Sequence, residues 1–232
     1  MDIINAATQN PVLYAILTGV VPTLAWLFFW LYRDRTKPEP FWFLFFCFIF
    51  GALTVLFSAV FQKLTKGLLP TDAKIFLWAG IEEVLKFGVF YLIVAKSRFN
   101  DEVIDPAIYL ITIALGFAAL ENTLYVLKLF DTFQATAGFL TGGLRFLGST
   151  LLHVIASGFI GIAIGLAPRY TTFFFTLIGI AGATFLHGTF NLFIMNNNSA
   201  SFLQVYGFLW VAGIISLLTL EKLRRIPKIQ TS

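Results

Sequence analysis

The chain alternates long apolar runs with short polar turns. Seven runs stand out: Pro11–Tyr32, Phe41–Leu64, Ala73–Ala95, Pro106–Leu129, Gly138–Ala167, Thr171–Met195 and Phe202–Leu220. Each has the roughly 20 residues that carry a helix across a hydrocarbon core about 30 Å thick. The fifth is longer than that, so it is expected to tilt or to be partly re-entrant. Turn-forming residues mark the connections, as in RDRTKPEP at 33–40, GLLPTD at 67–72 and NNNSAS at 196–201. The pattern predicts an all-α fold, a polytopic bundle of about seven transmembrane helices. All connections are short, so residues 1–232 are expected to form a single integral membrane domain.

Composition agrees, with 58% hydrophobic residues against 12% charged, well outside the range of soluble domains. The first ten residues contain no Lys or Arg and lead into a 22-residue apolar segment. That is not how a cleaved signal peptide is built, so the first helix is expected to persist. Cys47 is the only cysteine, which rules out an intrachain disulfide.

The net charge of +4 is explained by topology rather than by nucleic acid, for which no partner role is expected. With the amino terminus outside and the carboxyl terminus in the cytoplasm, inner loops and tail hold ten Lys and Arg residues and outer loops four. This follows the positive-inside rule. Small residues recur at spacing four in the fifth helix (Ser157, Gly161, Gly165) and in the sixth (Gly179, Ala183), where they predict close helix contact.

What membrane crossing does not require is the polar set inside these runs. Glu82, Glu83 and Lys86 lie in the third, Glu121 and Asn122 in the fourth, Arg145 and His153 in the fifth, His187 and Asn191 in the sixth. Each charge near a bilayer centre costs roughly 2.5–3.5 kcal/mol on insertion scales, and retention at that cost points to function. Counting at 1.5 Å per residue along alternating helices places Glu82, Glu121, Arg145 and His187 at a common depth, about 10–14 Å below the outer surface. Glu82 and Lys86, His187 and Asn191, and the row Thr141, Arg145, Ser149, His153, Ser157 each share a helix face. The expectation is one site lined from four helices. Its three carboxylates and two cations leave one negative charge, to be met by a shared proton, a histidinium or a metal ion.

Several sequence segments then carry a resemblance: EEVLK at 82–86, DEVIDPAIYLITIALGFAALEN at 101–122, LLHVIASGFIGIAIG at 151–165 and HGTFN at 187–191. The chain resembles the PrsW family of intramembrane proteases, within the superfamily of CAAX prenyl endopeptidases and bacteriocin-processing or immunity membrane proteins. The motif order EExxK, FxxxE, H and HxxxN spans about 73–195, the protease-like core. Phe117 and Glu121 supply FxxxE where the prenyl enzymes have FxxxH, and Asn191 stands where PrsW-like sequences often have Asp.

The resemblance implies a glutamic endopeptidase that hydrolyses a single-pass membrane protein or lipid-anchored peptide on the outer side of the cell membrane, as in anti-sigma-factor proteolysis. In the expected mechanism Glu82, or else Glu83, activates a water held with His153. His187 and Asn191 donate to the oxyanion, and Glu83–Lys86 and Glu121–Arg145 pairs hold the site. No cofactor is expected; the alternative is zinc on His153, His187 and Glu82. Other readings of the same bundle are a CAAX-type prenyl protease, a non-catalytic immunity or binding protein, and a proton-coupled carrier.

Overall fold

A computed structural model describes residues 10–33, 38–132, 135–168, 170–196 and 202–226, with side chains described outside 32–33, 130–132, 135–147, 195–196 and 202–205. Among the described residues the chain is helical throughout, with no strand. The helices are α1 (Pro11–Arg33), α2 (Phe41–Leu64), α3 (Thr71–Val89), α4 (Asp105–Thr132), α5 (Ala135–Leu166), α6 (Thr172–Asn196) and α7 (Phe202–Leu223). A π-turn, Phe90–Val94, extends α3 and closes with an i→i+5 bond from Ala95 N to Phe90 O. These are the seven expected helices.

Six of them are long and apolar enough to span a membrane. The exception is α3, because any 18-residue window between Thr71 and Val94 includes Glu82, Glu83 and Lys86. Of the two expectations for the fifth segment, tilt or partial re-entry, the second is not observed: α5 is one uninterrupted helix of 32 residues. At 1.5 Å per residue it is about 48 Å long, more than the hydrocarbon core needs when upright.

The bundle is built around α4, which packs chiefly on α5, α2 and α1. Every residue from Ile104 to Ala119 is buried. That explains why its sequence is apolar on all sides rather than striped. Two glycines let α2 and α4 cross with their backbones touching. A Cβ on Gly51 would lie 2.1 Å from Ile113 O, and one on Gly116 1.9 Å from Phe48 O. The predicted small residues of α5 act likewise, since a Cβ on Gly161 would lie 2.3 Å from Ala107 Cα and one on Gly165 2.1 Å from Val103 O. Gly179 and Ala183 of α6 face α5 in the same way, a Cβ on Gly179 meeting Ile160 Cα at 3.1 Å. The outward surfaces carry Phe41, Trp42, Phe57, Leu92, Phe173 and Leu218, the side chains expected against lipid.

The start of α4 is fixed from the other side of the bundle. Asp105 accepts hydrogen bonds from the backbone N–H groups of Asp101 and Glu102, and buried Tyr109 donates to Glu39 just before α2. Cys47 is buried in α2 as a free thiol.

Candidate active site

The three charges in the middle of α3, Glu82, Glu83 and Lys86, are buried, and they divide into two groups. Glu83 and Lys86 have no exposed surface, and Glu82 has 5%. Glu83 is saturated. Its Oε1 accepts from Lys86 Nζ at 2.6 Å and from His187 Nδ1 at 2.8 Å, and its Oε2 from Ser157 Oγ at 3.0 Å. Lys86 also donates to His153 Nδ1 at 3.0 Å and lies 4.6 Å from the centre of the Phe117 ring. One ammonium and one carboxylate thereby tie α3 to α4, α5 and α6.

Glu82, one residue earlier and about 100° around the helix, faces a cavity instead. The cavity holds about 200 Å³ and is lined by residues of α2 to α6. Glu82, Glu121, His153, His187 and Asn191 contribute its polar wall. Trp78, Ile75, Phe190 and Ile194 contribute its apolar one. Oε1 of Glu82 accepts from Gln62 Nε2 at 2.7 Å, whereas Oε2 is buried without a hydrogen-bond partner. His187 Nε2 stands 3.6 Å from that oxygen. His187 therefore sits between two carboxylates, with Nδ1 bonded to Glu83 and Nε2 beside Glu82 but beyond hydrogen-bond reach of it.

Most of the residues singled out in the sequence meet here. His187 and Asn191 line the cavity together from one face of α6. Glu121 is 38% exposed into it, and its Oε2 is held by His153 Nε2 at 2.8 Å. Asn122 donates to Thr150 Oγ1 at 3.1 Å, a bond between α4 and α5. Phe117 packs edge-on against His153 and beneath Lys86. The side chain of Arg145, expected to pair with Glu121, lies outside the described residues; among the described residues Glu121 is bonded by His153.

The water-holding part foreseen for His153 does not match its hydrogen bonds. An ammonium can only donate, so His153 Nδ1 accepts from Lys86 and the ring proton is assigned to Nε2, where it is given to Glu121. His153 presents a ring edge to the cavity, with both nitrogens engaged.

The same assignment bears on metal. Glu82, His153 and His187 each offer a donor atom, all within 4.8 Å of one another. Two histidines and a glutamate are a common catalytic zinc set. Here, however, His153 has no free lone pair, so no more than Glu82 and His187 remain. As these side chains are bonded, they do not fit a three-ligand site.

Gln62, the partner of Glu82, was missed. Thr54, Ser58 and Gln62 recur at spacing four on α2, the same signal that marked the His153 row on α5. Gln62 Nε2 is 3.1 Å from Ser58 Oγ, and one turn on Trp78 Nε1 donates to Thr65 Oγ1 at 3.0 Å.

The family model described as PrsW family intramembrane metalloprotease matches residues 39–218. The chain belongs to the PrsW family. It is 28% identical over 210 residues to the protease PrsW of Oceanobacillus iheyensis, covering 88% of this chain and 93% of that one. To the protease PrsW of Geobacillus kaustophilus it is 35% identical over 116 residues, 48% of this chain and 52% of the relative. The protease PrsW of Bacillus subtilis is 25% identical over 209 residues, with 87% and 94% covered. No solved structure matches the chain. This PrsW-family protein is a membrane-embedded peptidase, and the cavity lined by α2 to α6 is its candidate active site.

Proposed function

We propose that the protein hydrolyses a peptide bond of a single-pass membrane protein or lipid-anchored peptide, with Glu82 as general base. The observation that carries this reading is Glu82 in the cavity wall with its Oε2 buried, without a hydrogen-bond partner among the described residues and 3.6 Å from His187 Nε2. A water lodged against Oε2 gives its proton to Glu82 as its oxygen attacks the scissile carbonyl carbon. His187, in its imidazolium form, donates Nε2–H to the oxygen that becomes negative, and the Asn191 amide supplies a second donor. Each well-placed donor contributes about 3–4 kcal/mol to such a transition state. The C–N bond then breaks, and Glu82 returns the proton to the leaving amine. Glu83 holds His187, and Lys86 with His153 holds Glu121, so neither Glu83 nor His153 gives up a bond during the cycle.

The cavity lies toward one end of the bundle. Gln62 is near the last turn of α2, Trp78 in the second turn of α3, and Ile194 in the last turn of α6. With the amino terminus outside, as the distribution of Lys and Arg favours, this end is the outer one. Cleavage on the outer side of the membrane follows. New peptide ends compared between cells carrying wild type and Glu82→Gln at matched levels test the reading. Ends of membrane-anchored proteins found only with wild type support it, and coincident profiles under several envelope stresses would sink it.

Because His153 has no lone pair to give, the reaction is proposed to run without a bound metal. Activity of the purified protein should survive o-phenanthroline and EDTA. Loss restored by zinc would instead assign Glu82, His187 and a rearranged His153 to a metal.

A further inference from the structure

We propose that Gln62 of α2 is a positioning residue for the reaction, holding Oε1 of the Glu82 carboxylate so that Oε2 is kept free of hydrogen bonds beside His187. The inference rests on the reading of Glu82 as general base.

A carboxylate on a side chain with three rotatable bonds can turn either oxygen, or neither, toward a bound water. Here the choice is made by one neighbour. The Gln62 amide donates to Oε1 at 2.7 Å. It is itself held near Ser58, one turn back on the same helix, at 3.1 Å. Its helix is fixed at both levels that matter. The Gly51–Ile113 and Gly116–Phe48 backbone contacts set α2 against α4, and the Trp78–Thr65 bond clips the end of α2 to α3 one turn beyond Gln62. Gln62 thus reaches Glu82 from a rigid support, outside the four helices that carry the EExxK, FxxxE, H and HxxxN residues. Glu83 needs no such partner, because Lys86, His187 and Ser157 already hold it.

Turnover of a purified substrate by four variants tests the assignment. Gln62→Leu keeps the volume but loses the donor, Gln62→Glu replaces it with a repelling carboxylate, and Gln62→His keeps an N–H able to reach Oε1. A misplacement of about 1 Å at a reacting group can cost about 100-fold. The expected result is kcat down about 10- to 100-fold in Gln62→Leu and further in Gln62→Glu, with KM within about twofold and partial recovery in Gln62→His. The fourth variant, Gln62→Leu in a Glu82→Asp background, should add little to the defect of Glu82→Asp, whose carboxylate already falls short of the amide. Wild-type kcat in Gln62→Leu, or equal losses in all Gln62 variants together with lowered melting temperature, would overturn the proposal. Full activity in Glu82→Gln would overturn the underlying base assignment instead, so the two failures are separable.

Discussion

Glu82→Gln should leave a folded protein in the membrane that cleaves its substrate about 10²- to 10⁴-fold more slowly, the usual weight of a positioned general base. The substitution keeps size and shape. Among the described residues the only side-chain hydrogen bond of Glu82 is to Gln62, and an amide oxygen in its place can still accept it. Oε2 has no partner to lose. Stability and activity should therefore separate: the melting temperature in detergent stays near wild type while the single-turnover rate collapses. Glu83→Gln is the control that makes the contrast informative, because it weakens contacts to Lys86, His187 and Ser157 together and so lowers both. If Glu82→Gln turned over normally while Glu83→Gln stayed folded and inactive, the roles of the two glutamates would be exchanged.

Lys86→Met should have the largest effect on stability. Breaking a buried ion pair by removing one partner costs about 3–5 kcal/mol, because the remaining charge is left uncompensated in a medium of low dielectric. Glu83 would be that charge, with 0% exposure. His153 would lose the donor on Nδ1, and with it the tautomer that holds Glu121. Methionine fills most of the lysine volume, so the loss measures charge rather than a hole. Combining it with Glu83→Gln removes the stranded carboxylate and should recover part of the stability without recovering activity. Thermal or denaturant unfolding of the purified variants in a mild detergent measures both. A Lys86→Met protein that melts like wild type would mean the pair carries no structural weight.

The helices were legible because spanning lipid demands continuous apolar runs of a narrow length, and Pro, Asn and Asp mark where they end. The site was legible for a related reason. In an apolar helix a charge has no bland surface to occupy, so Glu82, Glu83, Lys86, His153 and His187 announce themselves. Depth counting along alternating helices then brought Glu82, Glu121, Arg145 and His187 to one level, and the cavity contains three of them, Glu82, Glu121 and His187. The Glu83–Lys86 pair was foreseen; what could not be read were its further partners, because Ser157, His153 and His187 reach it from other helices. The orientation of the His153 ring depends on the same ammonium. Gln62 was hidden because an uncharged amide near a helix end resembles an interfacial residue, and only the angle at which α2 crosses α4 turns it toward Glu82.

The clustering of partners around α3 also constrains how the chain is assembled. Glu83 and Lys86 are three residues apart and travel as a pair, so much of their charge is compensated within the helix itself. The rest is not. Ser157 and His153 arrive with α5 and His187 with α6, both synthesised after α3. Until those helices emerge, α3 is the least apolar segment of the chain and has no stable place in lipid as a lone span. Its commitment to the bilayer is thus a late and collective event, in which completing the site and completing the topology are the same step.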